Sequence, residues 1–307
     1  MDPVTHTFVG LALGKAGLER RSRLATGALV IGSSLPDVDV ISLAWGGDVA
    51  LAVRRGITHG IPALLVWPFV LTAALAAWHR WRPDTTERPR VFRPRAIFWV
   101  SALAIWLHPS LDYLNNYGLR WLMPLSGEWF YGDTLFIVEP VLLGILVAGV
   151  VVSRRGGRPE VARRALALAC VFIGLMGLLA MAGRRWVSDD LARAGIHVEK
   201  LMVSPVAGNP LRRFVVAEDA TGYYVGELSW VPRRFTWRRA AVDKRPASPL
   251  MTSATRGPAS RNFLGWARFP CFAEEHDARG TRVVISDLRY ADQPGGGFAT
   301  LVVDEGR

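Results

Sequence analysis

Cysteine is nearly absent from this chain: Cys170 sits inside an apolar run and Cys271 far away in polar sequence. A disulfide framework and a thiolate metal site are therefore unsupported. The familiar catalytic and nucleotide signatures are missing as well. No G-x-S-x-G, H-E-x-x-H, P-loop or G-x-G-x-x-G occurs, which removes support from serine hydrolysis and nucleotide binding. The start, MDPVTHTFVGLALGKAG, carries Asp2 and His6 where a secretory signal carries Lys or Arg, and it lacks a clear small-residue cleavage site. It is expected to stay in the mature protein. Neither an internal repeat nor a low-complexity tract is visible.

What is abundant is apolar sequence. Half of the 307 residues are hydrophobic and 12 are Trp, with a mean hydropathy of +0.21. That is too apolar for an ordinary soluble protein of this size and points to a membrane protein. Two uncharged runs, Gly60 to Trp78 and Ala165 to Gly183, are long enough to cross a hydrocarbon core as helices. A third, Thr134 to Val152, holds Glu139 near its start, and a fourth, from Ala96, reaches spanning length only by continuing through His108 and Asp112 to Leu114. Thr7 to Gly14 and Leu24 to Leu35 are shorter, and a hairpin of short or re-entrant helices fits them better. The expected fold is mainly α: a polytopic helical membrane domain of about four spans plus that hairpin over residues 1–183, then a small β-rich extramembrane domain over 184–307. Strand-like pieces there, such as Arg213 to Val216, Gly222 to Trp230, Thr281 to Ser286 and Phe298 to Val303, alternate with Gly and Pro punctuation such as Pro294 to Gly297.

The formal charge of +11 could suggest nucleic acid. The arginines, however, cluster in short connectors beside the apolar runs, where they act as topogenic signals. Lys15 to Arg23, Arg80 to Arg95 (including Arg88) and Arg154 to Arg164 bring fifteen basic residues against Glu19, Asp84, Glu87 and Glu160. The opposite face of residues 1–183 has Arg54, Arg55 and Arg120 against eight acids. The basic face is thus expected to be cytoplasmic and the acidic one extracytoplasmic, with the C-terminal domain following the last span outward and no nucleic-acid partner.

Alternation of the spans gathers the chemistry on the acidic face. His59 precedes one span, the next finishes at His108 and Asp112, and Asp133 opens the one running back; the hairpin brings Asp2 and His6 from its start and Asp37 and Asp39 from its end. Imidazole with carboxylate suits a divalent first-row metal, zinc or manganese, as one ion or as a pair. Metal-activated water would make hydrolysis of an ester or phosphoester the default reaction. Asp133 or Glu139 could act as general base or orient a ligand histidine. Blander roles compete: Asp2 as a cap of the first helix, Asp48 as a loop cap, Glu139 as the cap before Pro140, His79 as an interfacial residue, and His197 and His276 without function. His108 and Asp112 share a helical face at i and i+4, although Pro109 could make His108 the cap of a new turn; Asp37 and Asp39 would point together only in an extended turn. The run Asn115 to Gly118 reads as a turn whose amides could line a pocket. The tryptophans read as interfacial belts and packing.

The stretches Asp2-Pro3-Val4-Thr5-His6, Leu35-Pro36-Asp37-Val38-Asp39, Arg55-Gly56-Ile57-Thr58-His59-Gly60 and His108-Pro109-Ser110-Leu111-Asp112 with Tyr117-Gly118 resemble the LexA-binding, inner-membrane-associated hydrolase family, a family of membrane-bound metal-dependent hydrolases. The likeness runs through most of residues 1–140 in order. It implies a bacterial inner-membrane protein with metal ligands among His6, Asp37, Asp39, His59, His108 and Asp112. No segment here matches the repressor-binding epithet as a docking motif. The expected function is a membrane-bound hydrolase acting on a lipid or envelope-derived ester, with membrane lipid as its surroundings; the alternative is a non-enzymatic metal-binding scaffold or transporter.

Overall fold

The computed structural model describes residues 1–84, 90–244, 246–277, 280–291, 293, 295, 297 and 299–304. Glu87, Arg88, Pro294, Gly296 and Phe298 lie outside the described residues. Two compact units form, Met1–Ile41 with Arg54–Gly177, and Ser42–Val53 with Leu178–Arg307.

The first unit is helical. Pro3 opens α1 (Pro3–Lys15), and the Asp2 carboxylate accepts from the Thr5 amide at 2.9 Å, so Asp2 caps the helix. A basic turn leads to α2 (Ala25–Gly32), followed by a 3₁₀ segment, Leu35–Trp45, and by α3 (Gly47–Val53), which belongs to the second unit. Helices α1 and α2 form the expected hairpin. A Cβ on Gly10 would stand 2.6 Å from the Leu29 carbonyl oxygen and 2.8 Å from Ser33 Oγ, so only glycine permits this crossing. Then come a 3₁₀ turn, Ile57–His59, and α4 (Ile61–Trp81), α5 (Pro94–Tyr113), α6 (Pro140–Gly156) and α7 (Pro159–Arg193), whose C-terminal part passes into the second unit.

Helices α4 and α7 are long and apolar enough to cross a membrane, and α2 with Leu35–Trp45 would add a third span if the bent pair, at 46°, counted as one. The run from Thr134 does not become helical until Pro140. Asp133 takes a left-handed conformation, and proline's fixed φ and missing N–H suit the first helical position. The resulting helix has 17 residues. Helix α5 runs unbroken through Pro109 instead of restarting at His108. Helices α2, α4 and α5 share a core of Ala28, Leu29, Leu64, Leu71, Ala104 and Ile105. Pro68 inside α4 has no N–H for the Leu64 carbonyl, and the Trp106 indole of α5 donates to that oxygen at 3.0 Å. On the outside of α4, Leu65, Val66 and Phe69 are more than half exposed, as lipid-facing side chains are.

The basic connectors of this unit meet one another. Arg23 donates to His79 Nδ1 at 2.8 Å and to the Arg82 carbonyl at 2.7 Å, the Arg93 amide donates to Ser22 Oγ at 2.8 Å, and Arg163 donates to the Ala16 carbonyl at 2.9 Å. His79 thus sits among arginines, at the end of α4 remote from His59.

The second unit holds two antiparallel meanders: β1 (Lys200–Val206), β2 (Asn209–Glu218), β3 (Gly222–Trp230) and β4 (Arg233–Asp243) in one sheet, and β5 (Pro270–Asp277), β6 (Gly280–Asp287) and β7 (Thr300–Asp304) in the other. Helices α8 (Pro249–Ala254) and α9 (Pro258–Trp266) lie between them in sequence, and α9 packs on α3. The first sheet is covered on both faces, so its strands lack a polar alternation. Leu201, Val203, Val215 and Leu228 pack with Val187 and Leu191 of α7, while Met202, Val216 and Val225 pack with Phe269 and Cys271. In the β2–β3 turn the Asp219 carboxylate accepts from the amides of Gly222 and Thr221 and the hydroxyls of Thr221 and Tyr224, holding its pKa down to about 2. Both cysteines are free thiols.

The Gly10 crossing gives a paired test by thermal unfolding in detergent. Gly10→Ala is expected to destabilise by about 1–3 kcal/mol through overpacking. Gly27→Ala in α2, where an added Cβ meets nothing within 4 Å, is expected to be neutral or to stabilise by up to about 1 kcal/mol.

Candidate metal centre

Three stretches deliver the four donors, each for a local reason. Pro36 sets off the 3₁₀ segment that carries Asp37; Gly56 and Gly60 bracket the 3₁₀ turn ending in His59; α5 presents His108 and Asp112 one turn apart. Asp37, His59, His108 and Asp112 are all buried, and each offers a ligand atom within 4.8 Å of the others. His59 Nε2 and His108 Nε2 stand 3.2 Å apart. Asp112 Oδ2 is 3.5 Å from the first and 3.4 Å from the second, and Asp37 reaches each at 3.7 Å.

These separations can be tested against an ion. Donors at 2.0–2.1 Å around a tetrahedral centre lie about 3.3 Å from one another, close to the spacings seen. Asp37 Oδ1 and Asp112 Oδ2 are buried without a hydrogen-bond partner among the described residues. A buried carboxylate oxygen left in that state is costly unless a cation completes it. The donor set therefore fits a metal ion.

The surroundings fix which nitrogen faces inward. His108 Nδ1 lies 2.6 Å from the Ser33 carbonyl, which makes it the donor and leaves Nε2 as acceptor. His59 Nδ1 lies 3.0 Å from Thr58 Oγ1 and 3.4 Å from Asp39 Oδ2, again leaving Nε2 for the centre. Burial pushes the His59 pKa below its ordinary value, against the pull of Asp39 and Asp37, and so favours the neutral, ligating form. Asp37 and Asp39 point to different sides of His59, because residues two apart on a 3₁₀ helix diverge. Asp39 is a supporting carboxylate: its Oδ2 also accepts from the Arg55 amide and Thr58 Oγ1, each at 2.8 Å. His6 stacks on His108 with ring centroids 3.8 Å apart, and its Nε2 lies 3.2 Å from Asp112 Oδ1. Of the six metal-ligand candidates, the structure thus gathers four around one point and sets Asp39 and His6 directly behind them. Asp133 and Glu139 are buried outside that group, and the Glu139 side chain makes no capping bond to α6.

Arg55 reads in the sequence as charge and as part of the His59 motif, and is not among the candidate site residues named from it. It is buried, donates to Asp112 Oδ1 at 3.1 Å, Asn115 Oδ1 at 3.1 Å and the Gly118 carbonyl at 3.2 Å, and lies over the Tyr117 ring. The Met1 amino group also pairs with Asp112. Asn115 earns its place through the turn: its Oδ1 accepts from the Tyr117 amide at 2.8 Å. Gly118 follows at φ 84°, where a Cβ would collide with the Tyr131 ring. The one available signal for Arg55 was its position beside Gly56 in the histidine motif.

A model of the YdjM inner membrane protein family matches residues 1–186. The chain is also 27% identical over 320 residues to "Uncharacterized protein YfhP" of Bacillus subtilis (strain 168), an alignment that covers 98% of this chain and 90% of that protein. No solved structure matches.

The supporting role of Asp39 has a measurable signature. Asp39→Ala is expected to weaken metal binding about 10–100-fold without abolishing it, as read by competition with a fluorescent chelator. Complete loss of metal would instead make Asp39 a direct ligand.

Proposed function

The chain belongs to the YdjM inner membrane protein family, and on that footing we propose that it is a membrane-bound metal-dependent hydrolase of a lipid or envelope-derived ester or phosphoester. The observation that carries this reading is the convergence of His59 Nε2, His108 Nε2, Asp37 and Asp112 in a buried group. These four would hold the ion, zinc or manganese by donor type. A divalent cation there supplies Lewis acidity and makes water a nucleophile near neutral pH. The rest of the work falls to the chain. Ser33 and Asp39 hold the two imidazoles in the ligating tautomer, and Arg55 and His6 fix the Asp112 carboxylate.

In this reading α4, α5, α6 and α7 are the four spans. The end of the unit where the arginine-rich connectors meet is cytoplasmic, which puts the centre at the extracytoplasmic surface. A lipid-level position agrees with the segments that carry the ligands. Val38, Val40 and Ile41 beside Asp37, and Ile57 beside His59, are all exposed although apolar.

Elemental analysis of detergent-purified protein, paired with hydrolysis of an ester and phosphoester panel, is the direct test. Wild type is expected to hold metal and turn over one class; His59→Ala and His108→Ala are expected to lose both the metal and the turnover. Metal-free wild type would overturn the reading. Bound metal with no turnover across the panel would favour a scaffold or transporter built on the same ligands.

A further inference from the structure

Two adjacent arginines enter the centre in opposite ways. Arg55 adopts a left-handed backbone, φ 51°, and its side chain turns inward to the bonds already described. Arg54 stays at the rim with 28% of its side chain exposed. Its backbone is tied down: Arg120, which lies over the Trp129 ring, donates to the Arg54 carbonyl at 3.0 Å. Its guanidinium is not. The nearest acceptors are Asp37 Oδ1, 3.6 Å from Nη2, and Asp39 Oδ1, 3.8 Å from Nε, both beyond hydrogen-bonding distance. Nε is enclosed and has no hydrogen-bond partner among the described residues.

Arg54 is therefore a half-desolvated cation with unspent donors, set beside one ligand of the candidate centre and beside the carboxylate that orients another. A guanidinium presents five N–H donors in a planar fork that matches the paired oxygens of phosphate. A neutral carboxylic ester would leave most of those donors unused and bring no charge to meet them. A phosphoester brings both the oxygens and the charge, and Arg54 would offset the repulsion that Asp37 and Asp39 exert on such an anion.

We propose that Arg54 is a phosphoryl-recognition residue, and hence that the substrate class is the phosphoester and not the carboxylic ester. The proposal rests on the metal-dependent hydrolase reading above. In the reaction water forms one new P–O bond, the P–O bond to the alcohol breaks, one proton of the water goes to the leaving alkoxide, and the other stays with phosphate or passes to solvent. Arg54 touches the non-bridging oxygens and exchanges no proton, since a guanidinium donates hydrogen bonds without giving up its charge.

The test is binding of inorganic phosphate to the full chain in detergent, loaded with zinc or manganese, by titration calorimetry, with metal content measured on the same samples. Wild type is expected to bind phosphate more tightly than acetate. Arg54→Gln is expected to keep its metal and lose about 10- to 100-fold in phosphate affinity, the usual worth of a charged hydrogen bond. Arg54→Lys, which keeps the charge but not the fork, is expected to fall between them. Equal phosphate affinity in wild type and Arg54→Gln overturns the assignment while leaving the hydrolase reading intact. So does an Arg54→Gln protein that sheds its metal, because Arg54 would then be a structural brace. A wild type that takes up no metal overturns the earlier reading and this one with it. Competition by phosphatidate in nanodiscs would identify a lipid headgroup as the source of the phosphoryl, and competition by glycerol 3-phosphate alone a soluble one; either upholds the proposal.

Discussion

Two imidazole nitrogens facing each other across 3.2 Å, between two buried carboxylates, are the constraint around which the first unit is arranged. Neither the nitrogens nor the carboxylates gain anything from this proximity alone. Desolvating them is unfavourable, and a cation in their midst would offset it. The structure maintains the arrangement by placing a donor or acceptor behind three of the four: the Ser33 carbonyl behind His108, Asp39 behind His59, Arg55 behind Asp112. The same need explains the irregular backbone. Leu35–Trp45 and Ile57–His59 are both 3₁₀, and Arg55 and Asp133 both have positive φ. Regular α-helices could not bring residues 37, 39, 55 and 59 to one point within so few turns.

Much of this was legible from sequence because the signals were long-range and geometric. An apolar run has a direction, so His59 at the start of one and His108 at the end of the next must share a level. The hairpin's length told the same about Asp37. In the structure these three residues lie together with Asp112 in the four-residue group. The four-span count goes further than the helices themselves: α4 and α7 are long and apolar enough, whereas α6 has 17 residues and α5 carries Arg95, His108 and Asp112.

What the sequence hid was local. Nothing in a one-dimensional pattern separates Asp37 from Asp39, since the difference is which nitrogen of His59 each one meets. Pro109 looked like a break, yet α5 passes through it, because a proline forfeits only one backbone bond and the neighbouring helices hold the rest in place. Arg54 and Arg55 looked like a minor correction to a charge balance. Their separation into a rim cation and a buried brace depends on one residue's φ, which no periodicity reports.

The bond from Trp106 to the Leu64 carbonyl bears on how far α4 depends on its neighbour. Pro68 leaves that carbonyl bare, and in hydrocarbon a bare carbonyl costs several kcal/mol. The i+4 amide that would ordinarily take it is missing, because residue 68 is proline. Its missing donor arrives 42 residues later on α5. The two helices thus share one backbone ladder: Pro68 opens it in α4, and an indole of α5 closes it.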